Sequence, residues 1–198
     1  MSRIAIPEQY QDNPASYAYG VMSPEISQAA ILLSRAVYQH ALVSLREFEA
    51  ARVRVAQING CVVCQAFRGA TDISDYIEGL GHNSAGCVAS RGDPAPDEAF
   101  YADLKNWRTS SLYSEREKIA IDLAERFSLA PQSVDQDEAF WARVKAAYSD
   151  KEIFDLMLSI GSWVAGGRVM HMLQFDTVCG VPVAPPKAIS SVSAVAAE

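Results

Sequence analysis

The sequence predicts an all-α protein, on three observations. Apolar residues recur every three or four positions along most of the chain, the breaks between these stretches carry helix caps and stops, and the alternation that marks half-buried strands is scarce. A length of 198 residues suits one domain, or two small repeats sharing one core, and 49% apolar residues are enough to fill it.

Residues 1–22, rich in Pro, Tyr and Ser, read as an extended N-terminal arm. A helical domain is expected over 23–178 and a tail rich in Ala, Val and Pro over 179–198. The first helix opens with Ser23 as N-cap and Pro24 at the first helical position, and it carries Ile26, Ala29, Ile31, Leu32 and Ala36 at helical spacing. In the next, "SLREFEAARVRVAQING", Leu45, Phe48, Ala51, Val55 and Ile58 make an apolar stripe that Asn59-Gly60 ends. A third helix is expected across "CVVCQAFRGATDISDYIEGLG", followed by a connection rich in Gly, Ser and Pro. The second half repeats the plan. Ser114 and Glu117 form a capping box, and Ile119, Leu123 and Phe127 continue an apolar face until Pro131 stops it. Two more helices follow, the second capped by Ser149 or Asp150.

A net charge of -7 and a pI near 5.0 argue against nucleic acid or an anionic membrane as partner, because both need clustered Lys and Arg. No uninterrupted run of 18 apolar residues suggests a membrane span, and the N-terminus lacks the basic start and apolar stretch of a signal peptide. A cytoplasmic location is expected.

The chemistry-bearing motif is "INGCVVCQAFRGATD", with Cys61 and Cys64 three residues apart after a helix-breaking Asn-Gly. Four cysteines are too few for a disulfide scaffold, and in a reducing compartment a C-x-x-C pair is more often catalytic or metal-binding. A zinc site needs two further ligands. Cys87 and Cys179 are solitary, and His40, His82 and His171 are scattered, so no metal is expected. Thiols at a helix start have their anionic, reactive form stabilised by the unsatisfied N–H groups there. At i and i+3 the two sulfurs can close a disulfide, which suits a cycle of oxidation at one and resolution by the other. Arg68, four residues after Cys64, is expected on the same face as a thiolate stabiliser. Glu49, twelve residues before Cys61, would face back toward the thiols if its helix and theirs form a hairpin, and could then shuttle a proton; alternatively it pairs with a nearby arginine.

These residues resemble a known pattern. "LREFEAARVRVAQINGCVVCQAF" is similar to the core motif of the carboxymuconolactone decarboxylase / alkylhydroperoxidase AhpD-like superfamily, with Glu49, Arg54, Gln57, Asn59, Gly60, Cys61 and Cys64 at matching positions. The helices from Tyr113 and Tyr148 onward resemble that family's later helices, so the likeness runs roughly over residues 30–175. It implies an AhpD-like helical fold that assembles as a homo-oligomer (dimer, trimer or hexamer). It also implies hydroperoxide reduction with Cys64 as nucleophile, Cys61 as resolver and Glu49 as proton relay, with no cofactor beyond the dithiol and with electrons from a thiol or lipoylated donor protein. The chain departs from the pattern at Arg68, where redox-active members usually carry histidine, and at Val63, where some of them do. Arginine can favour a thiolate but cannot act as a base at neutral pH, so the proton path is left to Glu49 and water, or to His82 if its loop folds back. Two other readings stay open. One is a decarboxylase-type lyase in which Arg68 clamps a lactone carboxylate, and the other is a catalytically silent oligomer that binds a small molecule. Trp107 and Trp163 are expected in the core or lining a pocket, and Arg168 is expected to pair with a helix end or a neighbouring subunit.

Overall fold

The computed structural model describes residues 2–175; the expected tail over 179–198, and Cys179 with it, lie outside them. Among the described residues there are helices and turns and no strand. The expected extended arm is instead wound into short turns: a 3-10 turn at Glu8–Tyr10, helix α1 (Pro14–Tyr17) and a π-helical turn at Ala18–Met22. Two features favour coiling there. Pro14 occupies a first helical position, and the Asn13 side chain accepts from the Ser16 N–H.

Helices α2 (Pro24–His40), α3 (Leu45–Asn59), α4 (Val62–Ala66) and α5 (Gly69–Gly79) make up the rest of the first half. The second half contains α6 (Glu98–Asp103), α7 (Glu115–Leu129), α8 (Glu138–Ala147) and α9 (Asp150–Met172). Caps read from the sequence are present at Ser114 and Ser149, each with a reciprocal glutamate three residues on, and a third capping box joins Ser44 to Glu47. The third expected helix is divided in two. Phe67 and Arg68 take extended backbone, so α4 is barely more than one turn and α5 starts anew at Gly69.

Helix α3 is the centre of the molecule, with eleven of its fifteen residues buried. One flank, with Phe48, Ala51 and Val55, faces the main core shared with α2, α5, α7, α8 and α9. The other, with Ala50 and Val53, meets a smaller cluster of Phe100, Tyr101, Leu104, Trp107, Tyr113 and Ile121. The ion pairs fix how α3 and α7 run. Arg46 bonds Glu117 (2.6 Å) and Arg116 bonds Glu47 (2.5 Å) in the first turns, and two turns later Arg54 bonds Glu125 (2.6 Å). Contacts between matching turns at both ends mean that the two helices are parallel. The first two pairs are reciprocal, since "SLRE" at 44–47 and "SERE" at 114–117 exchange arginine and glutamate. The doubled plan legible in the sequence is thus a local two-fold relation at the heart of the fold. Helix α9 joins the same parallel set: Arg116 also bonds Glu152 in its first turn (3.1 Å), while its later turns pack beside Asn59.

By length and composition alone α9 is long and apolar enough to cross a bilayer, although polar and charged residues interrupt its apolar run.

Candidate functional site

The site lies where α3 ends, α4 begins and the last turns of α9 pass beside them. Gly60 closes α3 in a left-handed conformation (φ 71°), and a Cβ there would stand 3.1 Å from the His171 ring. The turn that delivers Cys61 therefore requires glycine twice over, for its backbone and for its closeness to α9. Asn59 pins the same corner. Its amide donates to the Trp163 carbonyl (3.1 Å), and its oxygen accepts from Arg168 Nε (3.2 Å). Arg168 also donates to the Ser128 carbonyl at the end of α7 (2.7 Å), the helix-end pairing expected of it. Arg54 and Gln57 of the motif are bonded to each other (2.9 Å), and Arg54 to Glu125, so they tie α3 to α7 rather than face the thiols.

Cys61 is the N-cap of α4, fully buried, its sulfur accepting from the Cys64 N–H (3.3 Å). The two cysteines are joined as a disulfide, with Cα atoms 5.3 Å apart. Cys64 is half-buried and forms part of the wall of a cavity of about 320 Å³. Tyr19, Tyr38, Phe67, Tyr76 and Trp163 supply its aromatic wall, and Met170 and Val63 line it too. The cavity is thus apolar and aromatic, with a few polar groups. Tyr76 O–H donates to Ser34 Oγ (3.2 Å), burial pushes the Tyr38 phenol well above its ordinary range, and the indole N–H of Trp163 is buried with no partner among the described residues.

Beneath Cys64 lies a charge pair. Glu49 is 0% exposed and Arg52 is 3% exposed. Arg52 Nε and Nη2 grip the two carboxylate oxygens at 2.5 and 2.9 Å, and the remaining donors go to the Cys64 carbonyl (2.7 Å) and the Phe67 carbonyl (2.7 Å). Glu49 in addition accepts from the Gly69 N–H (2.9 Å) and the Tyr101 O–H (2.8 Å). Burial pulls the basicity of Arg52 down, but the adjoining carboxylate outweighs it and holds the guanidinium above its ordinary value, so it is a permanent cation. Burial first, and Glu49 second, push the Tyr101 phenol up, so it stays a donor.

Of the residues singled out from sequence, the structure brings Cys61, Cys64 and Glu49 together. Glu49 meets an arginine and reaches the cysteine helix through it, so its oxygens are held by four donors rather than turned to the sulfurs. Arg68 is not a partner of Cys64. Because α4 stops at Ala66 the i+4 relation is lost, and Arg68 turns outward to Glu98 (2.8 and 3.1 Å), the carbonyls of Gln65 and Ala66, and the Tyr101 ring. His82 sits exposed in the turn after α5 and does not line the cavity. Trp163 is a cavity residue, whereas Trp107 is buried in the smaller cluster and donates to Glu125 (3.0 Å). Arg52 is the residue that sequence reasoning missed. Its signal was available, three residues after Glu49 on the same helix face. Among the described residues, no cluster of three or more His, Cys, Asp or Glu could hold a metal ion.

No protein-family model matches the chain. It is 30% identical over 118 residues to the uncharacterized protein YdfG of Bacillus subtilis, an alignment spanning 58% of this chain and 67% of YdfG. Its fold is similar to the crystal structure of a protein of unknown function from Agrobacterium tumefaciens, which is provisionally described as an antioxidant defence protein AhpD. The TM-score is 0.58 at 21% identity, covering 79% of this chain and 92% of that one. The chain thus belongs to one family with YdfG of Bacillus subtilis and carries the AhpD-like fold that its cysteine motif predicted.

Proposed function

We propose that the protein is a thiol-dependent hydroperoxide reductase whose working parts are Cys64 and Cys61. The observation that carries this reading is the Cys61–Cys64 bond itself, with Cys64 in the wall of an apolar cavity of about 320 Å³, the size of a small organic molecule's site. In the reduced protein the Cys64 thiolate attacks the terminal oxygen of a hydroperoxide. The O–O bond breaks and an S–O bond forms to give the sulfenic acid, while the departing alkoxide takes a proton from solvent and leaves as the alcohol. The Cys61 thiol then attacks that sulfur, water departs and the disulfide closes. A dithiol or lipoylated donor returns two electrons and two protons by thiol–disulfide exchange. Apolar walls favour an alkyl or aryl hydroperoxide over hydrogen peroxide, because burying the organic body contributes about 25 cal/mol per Å². We place the protein in the cytoplasm, where such donors are kept reduced.

The lyase alternative loses its main support, since Arg68, its carboxylate clamp, is engaged by Glu98 outside the cavity wall. The test is steady-state turnover of cumene hydroperoxide and hydrogen peroxide with a lipoamide-based reductant. The expectation is faster turnover of the organic peroxide, loss of all turnover in Cys64→Ser, and a trappable sulfenic acid at Cys64 in Cys61→Ser. Full activity in Cys64→Ser would overturn the reading.

A further inference from the structure

Arg68 was the expected cationic neighbour of the thiols, yet its charge faces outward to an exposed glutamate. The buried cation near them is Arg52, which lines the same cavity as Cys64 and divides its donors between Glu49 and two carbonyls of the cysteine segment. Helix α4 has five residues, too few to hold its shape unaided. What holds it from below is Arg52 on the Cys64 and Phe67 carbonyls. What fixes the start of the next helix is Glu49 on the Gly69 N–H. The guanidinium also lies over the Phe67 ring, 5.0 Å from its centroid, which fixes its plane.

We propose that Arg52 is the positioning residue of the dithiol: it clamps the single turn that carries Cys64 and supplies the positive charge that keeps the reduced Cys64 sulfur a thiolate. Glu49 is then the carboxylate that orients Arg52, which accounts for its full set of four donors. The other titratable groups around the thiol are the cavity phenols of Tyr19, Tyr38 and Tyr76, Tyr101 behind Glu49, and His171 over Gly60. Arg35 on α2 is a further cation that acts on Tyr76, but it is not among the residues lining the cavity, whereas Arg52 is. The inference deepens the proposed redox reading and rests on it, but its readout does not require turnover.

The experiment follows alkylation of the reduced protein by iodoacetamide as a function of pH, read by fragment-ion mass spectrometry that assigns the label to Cys64 rather than Cys61, so that neither Cys61 nor Cys87 and Cys179 interfere. Wild type should reach half-maximal rate well below the ordinary cysteine value of about 8.5. Arg52→Met paired with Glu49→Gln, which removes both charges and leaves no orphan, should move that point up by roughly one pH unit. Arg68→Met should leave it in place. Arg52→Lys keeps the charge and loses the fork, so its profile should stay near wild type while disulfide closure after one equivalent of peroxide slows several-fold. Circular dichroism melting establishes that each variant is folded. A folded double variant with the wild-type profile, an Arg52→Lys profile at the ordinary thiol position, or an equal shift in Arg68→Met would each overturn the proposal. Wild type that shows the low profile and the Arg52 dependence but reduces no peroxide would instead sink the peroxidase reading and leave the role of Arg52 standing.

Discussion

Gly69 shows how tightly the buried charge pair is set. A Cβ on Gly69 would lie 2.7 Å from the Glu49 carboxyl carbon and from one of its oxygens, closer than real contacts allow. A flexible surface glutamate would swing aside, but here two guanidinium nitrogens, a tyrosine and the Gly69 amide itself hold the group. Gly69→Ala should therefore cost about 1–3 kcal/mol by overpacking, lowering the melting temperature by roughly 2–4 °C for each kcal/mol in a chain of this size. A differential scan against wild type measures it, and an unchanged melting point would mean that the carboxylate is free to move. The same residues mark the limit of what the sequence could say about the site. The placement of Cys61, Cys64 and Gly60 was legible because their spacing and helix-breaking context act locally, whereas spacing left Glu49 open between the thiols and an arginine, and it meets the arginine. The exchange of Arg68 for Arg52 was not, because it depends on where α4 stops, and that is set by hydrogen bonds from a helix twelve to twenty residues earlier.

At the scale of elements, caps and stops were legible because each is a local hydrogen-bonding problem solved within four residues: Ser114 with Glu117, Ser149 with Glu152, and Gly60 after Asn59. The break between α4 and α5 was hidden for the opposite reason. Nothing between Gln65 and Thr71 is a helix breaker stronger than Gly69, and it is Arg52 and Glu49 that satisfy the backbone groups released at the break. Another long-range device joins α3 to α7 through Glu125. Burial raises this carboxyl, but hydrogen bonds from Trp107, Arg108 and Arg54 outweigh that and hold it below the usual glutamate range. With the folded value below the unfolded one of about 4.3, its contribution to stability is present above that pH and is lost as the pH falls through the folded value. Glu125→Gln should lower the melting temperature at pH 7 and flatten its fall between about pH 5 and pH 3. A variant curve parallel to wild type over that window would show that the carboxylate is not linked to folding.

For the molecule as a whole, the outward side of α9 is the feature a single chain leaves unexplained. Phe154 is 67% exposed, Leu158 51% and Met172 72%, and Val169 is exposed as well. At positions i, i+4, i+15 and i+18 these side chains fall within about 60° around the helix, making one apolar stripe opposite the face that packs on α3. That stripe is also what makes α9 apolar enough to pass for a membrane span. A second copy of the chain would cover such a stripe without exposing the ion pairs at the α9 start, where Glu152 meets Arg116. A bilayer would have to accept Arg168 and its ties to Asn59 and Ser128. We therefore expect light scattering on a sizing column to give a multiple of 21.5 kDa at micromolar concentration, and no co-sedimentation with lipid vesicles. Phe154→Glu combined with Leu158→Glu should bring the mass toward 21.5 kDa while leaving the helical spectrum intact, because neither side chain contributes to the core. A wild-type mass of one chain at that concentration would refute self-association through this face, and vesicle binding abolished by the same pair of glutamates would assign the stripe to a membrane.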